Sequence, residues 1–82
     1  MIIKHVIVTE KSTLAMERNN ELQFIVDIGA KKSQVASEIE DLFDVTVASV
    51  RTAVTPKGEK KAFVSLSKAD SADTVITKMG VL

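Results

Sequence analysis

His5 is the only histidine in the chain, and there is no cysteine. Those two facts exclude thiolate metal sites, disulfide staples and cysteine nucleophiles, and one imidazole cannot build a histidine-rich zinc site. His5 also has no nucleophile or carboxylate near it in sequence that would make it a general base. The three glycines fall at 29, 58 and 80, too scattered to form a phosphate-cradling loop. Glu38 and Asp41 can share a helix face, but a solvated acidic surface explains that spacing more simply than an acid/base pair does. Ser12, Ser33 and Ser37 read as helix-start and helix-surface residues. The expectation is a chain with no catalytic residue, no metal and no cofactor.

The cations say more. Eleven Lys+Arg balance eleven Asp+Glu, for a formal net charge of zero, but the two signs are segregated. Arg51, Lys57, Lys60 and Lys61 face only Glu59 within residues 51–61. Lys31 and Lys32 form a second basic pair, and Lys4 and Lys11 flank the first apolar run. Glu38, Glu40, Asp41 and Asp44 crowd into seven residues. A polyanion would be drawn to the first group and repelled by the second. Lysines at a hairpin tip also serve simply to keep a sheet edge soluble. Lys61 beside Phe63 suits RNA, through phosphate contact and base stacking, although the pair is weak as a motif.

These side chains need elements to position them. Eighty-two residues, 45% of them hydrophobic and 27% charged, make about one folded domain spanning 1–82. The opening apolar stretch is interrupted by Lys4 and His5 and is too short for a signal-peptide core or a membrane span, so an intracellular soluble domain is expected. Val6-Ile7-Val8 predicts a short strand ending at Thr9, which can cap a helix with Glu10 in its first turn, running to about Arg18 and stopping at Asn19-Asn20. Residues 21–28 alternate, with Leu22, Phe24, Val26 and Ile28 on one face and Gln23, Ile25 and Asp27 on the other. Val35, Ile39, Leu42 and Phe43 form a helical stripe ending near Asp44. Residues 45–54 and 60–67 predict a hairpin around Thr55-Pro56-Lys57-Gly58-Glu59. Asp70 or Ser71 caps a last helix with stripe Ala72, Val75, Ile76 and Met79, ended by Gly80 with Val81 in apolar contact.

The order β-α-β-α-β-β-α predicts an α+β fold. About four mostly antiparallel strands carry helices on one face, a ferredoxin-like sandwich. Phe63 and Ile25 then fall on the uncovered face and are expected to be partly exposed. Lys31 stands where a helix N-cap is expected, although lysine caps poorly and a cation opposes the helix dipole there. A bound phosphate would resolve the conflict; so would Ser33 acting as the cap.

Six segments, in order, resemble the large-subunit ribosomal protein L twenty-three family (universal uL twenty-three) in its archaeal form. Val8-Thr9-Glu10-Lys11-Ser12 resembles its V-T-E-K-[SA] motif, and Leu22 to Asp27 is similar to its second strand. Ala30-Lys31-Lys32 resembles A-x-K, and Leu42 to Val47 resembles L-F-x-V-x-V. Val50-Arg51-Thr52 is similar to V-N-T, and Gly58 to Leu66 resembles G-x-K-K-A-[YF]-V-x-L. Val6 stands where the family has proline and Arg51 where it has asparagine. The loop from Thr55 to Lys60 is short beside the long tunnel-reaching hairpin of bacterial members.

The resemblance implies a structural constituent of the large ribosomal subunit, not an enzyme. It would bind the third domain of the large-subunit (23S) rRNA beside the polypeptide exit tunnel, in the cytoplasm. It would neighbour protein L twenty-nine and help form the docking site for nascent-chain factors such as the signal recognition particle, with no membrane insertion and no small-molecule substrate. Carried over by position, Glu10 would be the factor-docking carboxylate. With the cations read from charge, the candidate rRNA-binding set is Lys4, His5, Lys11, Ser12, Lys31, Lys32, Arg51, Thr52, Lys57, Lys60, Lys61 and Phe63. Lys60 and Lys61 are expected to serve RNA with little bearing on folding. The rival reading is a small α+β protein–protein interaction module that binds no RNA through its exposed sheet face.

Overall fold

A computed structural model of the chain describes residues 2–68 and 71–79. The elements are β1 (Ile3–Val6), α1 (Glu10–Asn19), β2 (Glu21–Val26), α2 (Lys32–Phe43), β3 (Val47–Val54), β4 (Lys60–Leu66) and α3 (Ala72–Met79). The strands form one antiparallel sheet in the order β1-β2-β4-β3. Leu22, Phe24 and Val26 of β2 align with Val64, Ala62 and Lys60 of β4, so the alternation read in the sequence puts one apolar stripe on one face. Against it pack Val35 and Ile39 of α2, Ala72, Val75 and Ile76 of α3, and the half-buried Met16 of α1. All three helices therefore cover the same side, a two-layer α+β sandwich.

α1 opens as the sequence predicts. Thr9 Oγ1 accepts the Ser12 N–H at 3.1 Å, and Ser12 Oγ accepts the Thr9 N–H at 2.7 Å, a reciprocal capping box. Asn20 ends the helix in the left-handed conformation, φ 53°. It also ties distant segments: Leu66 donates to its carbonyl at 3.1 Å, its Nδ2 donates to the Ser67 carbonyl at 3.2 Å, and its Oδ1 accepts the Ala72 N–H at 2.8 Å. The hairpin turn matches expectation, with Gly58 at φ 85° and Thr55 paired to Glu59 at 2.8 Å.

Several expectations change. The first strand is Ile3–Val6, not Val6 to Thr9; its pairing with Val26, Ile25 and Phe24 is set by β2, and past Val6 the Ile7 N–H extends the ladder to Gln23 at 2.8 Å, as Asp27 to Ile2 does at the other end. Ile28 and Leu42 leave their stripes at 53% and 47% exposure, because β2 ends at Val26 and α2 turns Leu42 outward. Ile25 is not partly exposed but 5% accessible, between His5 and Lys61 on its own rung. Lys31 itself holds the α2 N-cap position, with Gln34 Oε1 accepting its backbone N–H at 2.9 Å, so Ser33 lies inside the first turn. Ser71 accepts the first α3 bonds through its carbonyl. Asp70, Gly80, Val81 and the side chain of Met79 lie outside the described residues.

Candidate nucleic-acid interface

Strand register sorts the candidate residues onto defined surfaces. One rung across the sheet reads Ile3, Val26, Lys60, Val54, at the end where the β3–β4 turn closes. The α2 N-terminus follows β2 at this same end. Lys4, Lys31, Lys32 and Lys57 are exposed here, and Lys60 is half-buried. The next rungs send the other parity of side chains to the helix-free face: His5, Ile25, Lys61 and Ala53, then Gln23, Phe63 and Arg51, then Glu21, Ser65 and Ser49. The hairpin end and the helix-free face adjoin through Lys60 and Lys61.

Arg51 is the most structured cation on that face. Its guanidinium carbon lies 5.0 Å from the Phe63 ring centroid, a cation–π distance. Its Nη2 donates to Glu21 Oε2 at 2.9 Å, reaching across β4. The Arg51 side chain is 68% exposed, whereas that of Glu21 is 11% exposed. Arg51 therefore roofs Phe63, which is half-buried, in keeping with the partial exposure expected of it.

Other candidates prove to have internal partners. Lys60 projects to the helix side, where its Nζ donates to the Ala30 carbonyl at 2.7 Å just ahead of α2. It thus braces the start of α2 while keeping its charge at the hairpin end, a structural duty the sequence did not suggest. Ser12 is buried, and its hydroxyl is occupied by Thr9 and by the Ile7 carbonyl at 3.1 Å, so it serves the cap and not the surface. Thr52 lies half-buried on the helix side, paired with Ala62. Lys11 and Glu10 are exposed at the α1 start, beyond the opposite end of β1 from the hairpin.

The acidic segment of α2 is also partly structural. Glu38 accepts the Ile2 and Ile3 N–H groups at 3.3 and 2.9 Å, and Glu40 accepts the Val47 N–H at 3.0 Å. These carboxylates lock α2 onto both outer strands. Glu21 and Gln23 were not among the sequence candidates, although the alternation of β2 already separated Gln23 from the apolar face. Among the described residues no group of histidine, cysteine and carboxylate side chains could hold a metal, and no helix is long and apolar enough to cross a membrane.

Comparison with known proteins bears on this geometry. The family model described as Ribosomal protein L23 matches residues 1–74. A protein of Pyrobaculum aerophilum named large ribosomal subunit protein uL23 is 47% identical over 81 residues, covering 99% of this chain and all of that protein. The Haloarcula marismortui protein of the same name is 49% identical over 80 residues, covering 98% of this chain and 94% of its own length. A Dictyostelium discoideum protein, also so named, is 44% identical over 81 residues, which make up 48% of it. Matches of this extent and identity, over a chain whose six sequence segments occupy the expected strands and helix ends, place it by descent: the chain belongs to the ribosomal protein L23 family.

Proposed function

We propose that this chain is a non-catalytic constituent of the large ribosomal subunit that holds large-subunit rRNA against its hairpin end and helix-free sheet face, near the polypeptide exit tunnel. The observation that carries the reading is the segregation of charge. Lys4, Lys31, Lys32, Lys57, Lys60, Lys61 and Arg51 fall on two adjoining surfaces, where they outnumber Asp27, Glu59 and Glu21, while Glu40, Asp41 and Asp44 lie toward the far end of α2 and Glu38 is engaged by the Ile2 and Ile3 amides. Each phosphate neutralised by one of these cations releases condensed counterions, so affinity falls steeply with salt. Thr52 supports this surface from the helix side and Ser12 serves the α1 cap; neither is part of it. His5 and Phe63 contribute on the helix-free face. Lys11 belongs to a different surface, shared with Glu10 at the α1 start, and that surface is the docking site for nascent-chain factors such as the signal recognition particle. Protein L twenty-nine is the neighbour the resemblance implies.

Co-sedimentation with large subunits through a salt gradient tests the reading. Retention at low salt and graded release as salt rises are expected; indifference to salt would reject electrostatic docking. Glu10→Lys separates the two surfaces. It is expected to abolish factor docking and leave assembly into subunits intact, and a loss of assembly would reject the division.

A further inference from the structure

We propose that Arg51 is a stacking residue: its guanidinium, set over the Phe63 ring and hooked to Glu21, presents its outer face to one unpaired RNA base. The inference rests on the rRNA-binding reading above and names what that face takes. An arginine on an open sheet face would ordinarily spread over many rotamers. Here the guanidinium carbon lies 5.0 Å from the Phe63 ring centroid, and Nη2 donates to the Glu21 carboxylate at 2.9 Å. The side chain nevertheless stays 68% exposed. Much of the guanidinium surface and its other N–H donors therefore remain open on a side chain already held at two points, which lowers the ordering cost on binding. Nucleobases stack on such planes when they are unpaired and splayed out; inside an A-form duplex they are not available.

A plain surface ion pair is the competing account, and it contributes little. It explains neither the ring beneath the guanidinium nor the choice of arginine. Gln23 shares the rung with Phe63 and Arg51, and Ser65 lies on the next, supplying amide and hydroxyl groups beside the stack for base edges.

The experiment compares Arg51→Lys and Arg51→Ala with the wild type, using a large-subunit rRNA fragment that contains an unpaired loop and a fully paired RNA duplex of equal length. Lysine keeps the charge and loses the plane. Arg51→Lys is expected to weaken binding to the loop-bearing fragment about tenfold, with an unchanged salt slope and unchanged duplex binding. Arg51→Ala is expected to weaken both and to lower the salt slope by about one. An Arg51→Lys variant that binds the loop-bearing fragment like wild type, or that loses equally on both RNAs, overturns the proposal. A wild type that binds neither RNA overturns it together with the rRNA-binding reading, a result plainly distinct from the other two.

Discussion

Replacing Lys60 and Lys61 separately by alanine should divide folding from RNA binding at two adjacent positions. Lys60 points to the helix side and donates to Ala30 at 2.7 Å; Lys61 shares the helix-free face with Phe63 and Arg51. A hydrogen bond from a charged donor contributes about 1.5–3 kcal/mol when well buried, and Lys60 is only half-buried, so about 1 kcal/mol is expected for Lys60→Ala. For a domain of this size that lowers the melting temperature by about 4–8 °C. Lys61→Ala loses one phosphate contact, which lowers the slope of log affinity against log salt by about 0.7–0.9. Between 50 and 200 mM salt the wild type should therefore lose about 3-fold more affinity than Lys61→Ala does. Thermal melts by circular dichroism and filter binding to large-subunit rRNA fragments at four salt concentrations read both effects. A Lys60→Ala protein that melts like wild type, or a Lys61→Ala protein with the wild-type salt slope, refutes the division.

Other perturbations test the supports of the surface. Glu38→Ala leaves the Ile2 and Ile3 amides without their carboxylate; a loss of about 1–3 kcal/mol is expected, with faster amide exchange at those two residues and not at Val64. Ser12→Ala removes half of the capping box and should cost about 1–2 kcal/mol by urea denaturation without changing RNA affinity, and a drop in affinity at full folding would return Ser12 to the contact surface. Gly58→Ala places a Cβ at φ 85°, which should cost about 1 kcal/mol by the same titration although nothing crowds the site.

The legible parts of this molecule were those fixed by local pattern. Leu22, Phe24 and Val26, like Val35 and Ile39, are buried where period-two and period-3.6 spacing put them. Thr9, Asn20 and Gly58 punctuate the chain as their chemistry requires. What was hidden depends on partners far away in sequence. The extent of β1 is set by its register with β2, so an apolar run at Val6-Ile7-Val8 misplaced it. The same limit applies to Glu38 and Glu40: an acidic run reads as solvated until the strands whose amides they accept are in position. Among the cations, charge counting gathered the candidates, but only strand parity separates Lys60 from Lys61. The Glu21 partner of Arg51 lies two strands away and left no mark in its neighbourhood.

The placing of β2 between β1 and β4 governs how this chain can be made. Synthesis releases residues from the N-terminus onward, so β2 emerges with one flank unoccupied and its Phe24 stripe bare. That flank fills only when Lys60–Leu66 follows, and Asn20 gains its Leu66 and Ala72 bonds only then. Nascent chains stalled before β4 therefore display a sticky, half-sealed strand, and native closure is postponed until β4 and the start of α3 have left the ribosome that makes them.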